Sequence, residues 1–322
     1  MVNGQAAATQ RSGLKVLLAS PRGFCAGVTR AIETVENALR HYGAPVFVRH
    51  EIVHNDHVVA RLRAMGAVFI DEVGEAPDDR PLVFSAHGSP ARAHAEANAR
   101  GITLIDAACP LVLKVHAQVR RFIAAGRHVL IIGHSDHPEV EGVTGQAPAE
   151  CFSVIEDLQD ALSVAPPDVP LSYVTQTTLS VDDTRKIIDV LKKRFPAITG
   201  PRKDDICFAT SNRQDAVKTL AQRVDKLFVI GSPTSSNSKR LVDVARAAGV
   251  ASAMLIDDPA SADLGVIKAG DVIGVTAGAS APEELVEALL TRLADAFTLF
   301  IETVETVRED VFFKTPPLAA AG

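Results

Sequence analysis

A cysteine stands where a β-rich run gives way to a helical pattern three times along this chain, and this repetition constrains the fold most strongly. Cys25 lies in the segment PRGFCAG, Cys109 precedes Pro110, and Cys207 ends the weak strand pattern DDIC. Short β-rich runs that alternate with amphipathic helical stretches are typical of parallel α/β architecture. We therefore expect an α/β fold in which the three thiols converge if three similar units face one another.

The strand patterns form three sets of four, and the segments after the strands recur in the same order. The sets are 16–19, 45–48, 67–70 and 82–85; 102–105, 129–132, 152–155 and 171–174; and 204–207, 227–230, 253–256 and 272–275. In each set the first strand leads to a cysteine, the second to a polar loop and the third to an acidic pair. This constant order indicates a threefold internal repeat.

The repeat suggests three α/β units with flanking segments. We place the units at residues 14–109, 110–206 and 207–296. The small, polar residues 1–13 are expected to be a disordered extension. Residues 297–322 do not fit the repeat, and the segment VREDVFFKTPPL within them reads as a tail with one short strand.

Polar side chains come after the strands of all three units. In open parallel sheets ligands bind beyond the carboxyl ends of the strands, so three packed units can direct these side chains at one cavity. The alternative is that they are ordinary turn and cap residues, because Ser, Thr, Asn and Asp are favoured there. Their recurrence in the same order favours the cavity. The candidates are His54, His87, His137, Glu139, Thr177, Ser235, Ser236, Asn237 and Ser280.

Composition argues against several classes of protein. A net charge of −6 and a pI near 5.9 do not suit a general nucleic-acid binder. No apolar run approaches the roughly 20 residues that span a bilayer, and the N-terminal residues lack the apolar segment of a secretory signal. We expect a cytoplasmic protein that binds neither nucleic acid nor membrane.

The cysteines indicate a metal site or catalysis rather than a disulfide framework, because the cytosol keeps thiols reduced. Three cysteines on three loops suit an iron–sulfur cluster or a zinc ion. Cys151 lies at the head of a strand and is excluded from this set. A four-iron cluster held by three cysteines leaves one iron open, which can act as a Lewis acid as well as pass electrons.

The remaining cavity groups point to an anion. Imidazoles, hydroxyls, an amide and helix N-termini together suit phosphate or diphosphate. Glu139 is the best-placed proton donor, with Glu141 as the weaker rival. His134 shares a loop with His137, and its role stays open.

Nine motifs of the chain resemble one known family through residues 14 to about 293. They are PRGFCAG, EIVHN, SAHG, CPLV, GHSDHPEVEG, TQTTLSVDDT, GPRKDDICFATSNRQ, SSNS and TAGASAP. The family is that of the 4-hydroxy-3-methylbut-2-enyl diphosphate reductases, also called LytB or IspH. The resemblance implies three α/β units in pseudo-threefold arrangement around a [4Fe–4S] cluster. It also implies the last step of the non-mevalonate isoprenoid pathway, which yields isopentenyl and dimethylallyl diphosphate.

The same resemblance assigns roles to individual residues. The cluster ligands that it implies are Cys25, Cys109 and Cys207. The residues that look like a diphosphate pocket are His54, His87, His137, Ser235, Ser236, Asn237 and Ser280. Glu139 resembles the residue that delivers protons, Thr177 a hydroxyl near the substrate's own hydroxyl, and Gln176 a supporting partner.

An oxidoreductase of this kind needs an external electron donor, and ferredoxin or flavodoxin is expected. Three other readings stay open at this point. One is a hydro-lyase that uses the open iron only as a Lewis acid. Another is a redox or iron sensor that binds phosphorylated ligands without turnover. The third is a zinc protein with three cysteine ligands.

Overall fold

Three parallel sheets form the frame of residues 11–319, the part of the chain that the computed structural model describes. These residues contain ten α-helices and twelve β-strands, and every strand pairing within the sheets is parallel. The predicted α/β class with three parallel units is confirmed. Within the same residues, no helix combines the length and apolar character needed to cross a bilayer.

The first sheet has four strands in the order β3-β2-β4-β5. They are β2 (Val46–Arg49), β3 (Ala67–Ile70), β4 (Leu82–Phe84) and β5 (Leu104–Asp106). Its helices are α1 (Ala26–Tyr42), α2 (Asp56–Ala64) and α3 (Ala91–Ala99). Helix α1 buries Ala31, Val35 and Ala38 on one face against this sheet, as the helical period requires.

The second sheet has three strands in the order β7-β6-β8. They are β6 (His128–Ile132), β7 (Phe152–Ile155) and β8 (Leu171–Thr175). Its helices are α4 (Pro110–Ala124), α5 (Pro138–Thr144), α6 (Leu158–Ser163) and α7 (Val181–Arg194). Pro110 opens α4, where its missing N–H costs nothing, and Val115 and Val119 pack on the sheet.

The third sheet has five strands in the order β10-β9-β11-β1-β12. They are β1 (Gly13–Ser20), β9 (Lys226–Ile230), β10 (Ser252–Ile256), β11 (Val272–Ala277) and β12 (Thr298–Glu305). Its helices are α8 (Phe208–Ala221), α9 (Ser236–Ala247) and α10 (Glu283–Ala296). Four short 3₁₀ helices complete the described residues: Val73–Glu75, Ala149–Cys151, Pro259–Ser261 and Leu264–Val266.

Sheet membership differs from the predicted sets at the first strand of each. Strand β1 pairs with β11 and β12 in the third sheet, so it does not belong to the unit of residues 14–109 in which we placed it. Strand β5 pairs with β4 in the first sheet. Residues 204–207 form no strand, and only an isolated bridge at Thr199 extends the second sheet there. At each cysteine the chain therefore leaves one sheet and enters a helix that packs on another sheet. These three crossings lie close together.

Both chain ends differ in part from expectation. Most of the predicted disordered extension, residues 1–10, lies outside the described residues, and β1 begins at Gly13. The strand expected within VREDVFFKTPPL is wrong, because residues 307–318 form neither helix nor strand. The C-terminal strand lies earlier, in β12, which pairs with β1 along its whole length. After β12 the tail runs past α8 and α1, where Tyr42 Oη donates to Ala319 O at 2.9 Å.

Candidate functional site

The three predicted cysteines are the N-cap residues of α1, α4 and α8, and they line one cavity. The cavity holds about 690 Å³ of empty space. All twelve site residues predicted from the sequence line it: Cys25, Cys109, Cys207, His54, His87, His137, Glu139, Thr177, Ser235, Ser236, Asn237 and Ser280. Three separate chain crossings therefore supply the thiols, and the loops of all three units supply the polar groups.

Gly27 forms a cradle for two of the thiols. A Cβ atom at this glycine would lie 2.7 Å from Cys109 Sγ and 3.8 Å from Cys25 Sγ. The third sulfur, Cys207 Sγ, accepts a hydrogen bond from Thr210 N at 3.4 Å and lies 3.2 Å from Thr210 Oγ1. In residues 11–319 no group of three or more His, Cys, Asp or Glu side chains is arranged to hold a single metal ion.

The thiols are held in an environment that disfavours bare thiolates. Burial raises the pKa of Cys109 to about 12 and that of Cys207 to about 11, and the neighbouring thiols contribute to both shifts. Three thiolates gathered in one apolar space repel one another unless a cationic group is shared among them. A cationic metal centre shared by the three sulfurs would relieve this repulsion.

Glu139 is buried at the cavity wall and is bound by one residue in the loop after β8. Its Oε1 accepts from Thr177 N at 2.7 Å, and its Oε2 accepts from Thr177 Oγ1 at 2.9 Å. Glu139 is 2% exposed, and this burial raises its pKa to about 7, although the two Thr177 hydrogen bonds act in the opposite direction. A carboxyl with such a pKa can hold or release a proton at neutral pH.

Three histidines form a cluster in the cavity wall. His54 stacks on His87 with ring centroids 4.2 Å apart, and His137 lies edge-on to both at 5.3 and 5.8 Å. Burial, together with the smaller effect of neighbouring His54, lowers the pKa of His87 well below its usual range and that of His137 to about 3. His54 Nε2 is buried and has no hydrogen-bond partner among the described residues. An anion beside these rings would stabilise their protonated forms.

Hydroxyl and amide groups from the third unit complete the polar wall. Ser280 Oγ donates to His54 O at 3.0 Å and to Ser235 Oγ at 3.3 Å. Ser235 is the N-cap of α9, and its Oγ accepts from Ser238 N at 3.2 Å. Asn237 is 4% exposed, and neither its Nδ2 nor its Oδ1 has a partner within residues 11–319. Buried amides are normally hydrogen-bonded, so this side chain is available to a ligand.

Gln176 and Ser236 connect the second and third units at the cavity edge. Gln176 Nε2 donates to Thr178 Oγ1 at 2.9 Å, and Thr178 Oγ1 donates in turn to Ser236 Oγ at 3.3 Å. Gln176 Oε1 also accepts from His134 N at 3.1 Å. Among residues 11–319, the side chain of Gln176 therefore hydrogen-bonds to Thr178 and His134 and not to Glu139.

Cys151, which we excluded, lies outside the cavity wall, and so do the rival carboxylate Glu141 and the ambiguous His134. Cys151 ends a 3₁₀ helix before β7 and does not line the cavity. The rival carboxylate Glu141 forms an ion pair with Arg49 Nη2 at 3.0 Å and is also absent from the cavity wall. His134 is likewise absent from the wall, and its ring lies 3.8 Å from the exposed Glu156.

Some cavity residues escaped the sequence reasoning. Thr178 and Thr210 line the wall, as do the apolar side chains of Val28, Val53, Leu111 and Val112. Thr210 carried a usable signal, because it stands three residues after an N-cap cysteine, where a helix amide meets the cap. The apolar residues carried none, since a side chain facing a cavity and one facing the core have the same helical spacing.

Comparison with known proteins indicates one family. The family described as "LytB protein" matches residues 16–294. A relative from Phenylobacterium zucineum named 4-hydroxy-3-methylbut-2-enyl diphosphate reductase is 55% identical over 307 residues, which cover 95% of this chain and 98% of the relative.

Solved structures agree with the sequence relatives. The E-1-hydroxy-2-methyl-but-2-enyl-4-diphosphate reductase from Plasmodium falciparum superposes with a TM-score of 0.87 at 34% identity, and the match covers 97% of this chain and 96% of that one. A second structure, titled (E)-4-hydroxy-3-methyl-but-2-enyl diphosphate reductase, the terminal enzyme of the non-mevalonate pathway, gives 0.64 at 28% identity, with 88% and 99% covered.

Proposed function

Because the chain belongs to the LytB family, we propose that its cavity converts 4-hydroxy-3-methylbut-2-enyl diphosphate to isopentenyl and dimethylallyl diphosphate. The enzyme is then an oxidoreductase that performs the last step of the non-mevalonate pathway. One observation carries the proposal: a single cavity combines three thiols from three chain crossings with a buried carboxyl and a polar wall in which His54 Nε2 and the Asn237 amide have no partner among residues 11–319. The reaction consumes two electrons and two protons and releases one water.

The thiols fit a [4Fe–4S] cluster. Three soft sulfur donors come from separate helix N-termini, whose amides favour anionic sulfur. Gly27 leaves the space that a side chain would take from the Cys109 sulfur. Such a cluster, when bound, would supply electrons one at a time and an iron without a protein ligand as a Lewis acid.

The polar wall suits the diphosphate. His54 Nε2 and Asn237 Nδ2 are buried without partners among residues 11–319. A phosphate oxygen can accept from the amide, and from the imidazole when the ring is protonated, because His54 Nδ1 already lies 3.1 Å from Glu51 Oε2. Ser280 and Ser235 add hydroxyls beside the start of α9, a 12-residue helix whose N-terminal amides attract anions. The rings of His87 and His137 have lowered pKa values, so substrate binding is expected to take up protons.

Glu139 supplies the proton for the leaving hydroxyl in this proposal. Its pKa of about 7 leaves a large protonated fraction at neutral pH. Thr177 binds both carboxyl oxygens and holds the carboxyl at the cavity wall, and in this proposal Thr177 also contacts the substrate's hydroxyl. Proton transfer from Glu139 lets the oxygen depart as water instead of hydroxide. The two electrons bring the remaining allylic fragment to the level of an allyl anion, and protonation at either end then gives the two products.

The apolar side chains on the wall are suited to the hydrocarbon part of the substrate. Val28, Val53 and Leu111 keep bulk water away from it. Electrons arrive from outside the chain, and we include ferredoxin or flavodoxin as the donor in this proposal. The unit limits at residues 109/110 and 206/207 are likewise part of it, because they coincide with the crossings that carry Cys109 and Cys207.

The deciding experiment measures iron and acid-labile sulfide in anaerobically purified protein, with four Cys→Ser variants in parallel. We expect about four of each per chain, lost in Cys25→Ser, Cys109→Ser and Cys207→Ser but kept in Cys151→Ser. Product formation is then measured with and without a chemical one-electron reductant. Zinc in place of iron, or turnover that does not depend on added electrons, would contradict the proposal and favour a zinc protein or a hydro-lyase.

A further inference from the structure

Each of the three cysteine-bearing helices carries one basic side chain about one and a half turns after its cysteine. These residues are Arg30 on α1, Lys114 on α4 and Arg213 on α8. None of them lines the cavity. Each donates hydrogen bonds to backbone carbonyls of residues just before the cysteine of another of these helices.

Arg30 holds the loop that leads into Cys109. Its Nη1 donates to Ala108 O at 2.8 Å and its Nη2 to Asp106 O at 3.4 Å. Arg30 is 8% exposed, so its charge is largely removed from water and depends on these acceptors.

Lys114 holds the loop that leads into Cys207. Its Nζ donates to Lys203 O at 3.2 Å and to Asp204 O at 3.0 Å. It also forms an ion pair with Asp205 Oδ1 at 3.2 Å, and the Asp205 side chain is fully buried. Asp205 Oδ2 accepts in turn from Thr175 N at 3.3 Å, at the end of β8.

Arg213 holds the loop that leads into Cys25. Its Nε and Nη2 donate to Gly23 O at 3.1 and 2.8 Å, and Nη2 lies 3.4 Å from Phe24 O. The side chain is fully buried, and its remaining partners are Ala209 O at 2.9 Å and the Glu309 carboxylate at 3.0 and 3.2 Å.

We propose that Arg30, Lys114 and Arg213 are positioning residues that form a closed ring, in which each cysteine-bearing helix fixes the loop of the next cysteine. The ring runs from α1 to the Cys109 loop, from α4 to the Cys207 loop, and from α8 back to the Cys25 loop. A metal centre shared by three segments needs its ligands held within a few tenths of an ångström before it binds. Arg30 and Arg213 are buried, and buried cations are costly and often replaceable by apolar residues, so their presence at two of the crossings calls for a specific role. Lys114 at the third crossing is partly exposed but pairs with the buried Asp205 side chain.

The C-terminal tail also binds two of these three basic side chains. Glu309 pairs with Arg213, and Lys314 O accepts from Arg30 Nε at 2.8 Å. No described tail residue lines the cavity. The tail therefore supports the loops before Cys25 and Cys109 through Arg213 and Arg30, without lining the cavity. The hydrogen bonds of Lys114 do not involve the described part of the tail.

Lys114→Met is the sharpest test, because Lys114 is partly exposed and its loss threatens folding least. Peptide-level amide hydrogen exchange is measured on the full chain, purified anaerobically with whatever cluster it holds. We expect exchange in residues 203–208 to rise about tenfold, because charged hydrogen bonds to two carbonyls and an ion pair are lost. Exchange in residues 106–110, which hold the cysteine of Lys114's own helix, should not change. Lys114→Arg should restore the parent rate.

The matched control is Arg121→Met, which removes an exposed cation from the same helix and should leave both segments unchanged. A second readout is the rate at which a chelator removes iron, which should increase in Lys114→Met and recover in Lys114→Arg. The ring would be overturned if amide exchange in residues 203–208 stayed unchanged, if it rose equally in all three loops, or if it rose only in residues 106–110. The role of the ring rests on the proposed function, but the exchange readout requires no turnover, so a chain without reductase activity would still decide it.

Discussion

Replacing Glu139 by glutamine removes the ionisable proton of this side chain but keeps its size and shape. A glutamine side chain can still accept from Thr177 N, where Glu139 Oε1 now accepts at 2.7 Å. It has no ionisable proton, so general acid catalysis at this position is lost. Such catalysis typically contributes about 10²–10⁴-fold, and we expect kcat of Glu139→Gln to fall by that factor while cluster content and substrate affinity stay near those of the parent. The assay is single-turnover product formation with a chemical reductant.

The same substitution has a calculable effect on stability. Burial raises the Glu139 pKa from 4.5 to about 7, so the folded protein holds this proton more tightly than the unfolded chain. The resulting stabilisation is fully present below pH 4.5 and is lost as the pH rises through 7. A shift of this size corresponds to about 3 kcal/mol. Glu139→Gln should therefore be more stable than the parent by up to about 3 kcal/mol at pH 8, with little difference at pH 4.

Urea unfolding at both pH values measures this difference, and parent turnover should decline above pH 7 as Glu139 ionises. Glu150→Gln is the control, because Glu150 is an exposed glutamate outside the cavity. Near-full turnover in Glu139→Gln would remove the residue from the proton pathway. A stability difference that is the same at pH 4 and pH 8 would refute the argument from burial.

Three further changes test other parts of the site. Ser280→Ala should weaken substrate binding by up to about 10²-fold, because a hydrogen bond to a charged group is worth roughly 1.5–3 kcal/mol; calorimetry checks this, and unchanged affinity would place the diphosphate elsewhere. Gly27→Ala should lower iron and sulfide content, since its Cβ would lie 2.7 Å from Cys109 Sγ; full content in metal analysis would contradict the cradle. Deleting residues 307–322 should speed amide exchange in residues 22–26 and 106–110, and exchange unchanged in both would mean that the tail does not brace these loops.

Much of the site could be predicted from the sequence because its chemistry lies at strand ends. Parallel strands present their carboxyl ends at one edge, and the cysteines occupy the N-caps of helices whose apolar spacing is visible in the chain. All twelve candidate residues consequently line one cavity. The alternation of strand and helix patterns likewise predicted the α/β class, because both periods are local properties of the chain.

Which strands pair with one another depends on the tertiary structure and could not be predicted from the sequence. The local pattern of β1 is that of any buried strand, and nothing in it specifies β11 and β12 as neighbours. Residues 204–207 form no strand, and the buried Asp205 side chain among them is bound by Lys114 from α4, a contact between residues distant in sequence.

The pKa of Glu139 and the ring of basic residues depend on tertiary structure for the same reason. A carboxyl acquires a pKa of about 7 only when the fold removes it from water. Arg30 and Arg213 look like ordinary helix-surface residues in the sequence, and their burial and their carbonyl partners exist only in the packed structure. The cysteines and polar groups of the cavity could be identified from the chain because helix and strand periods are local. Their electrostatics and the contacts among the cysteine-bearing segments could not, because desolvation and long-range contacts arise only when the chain packs.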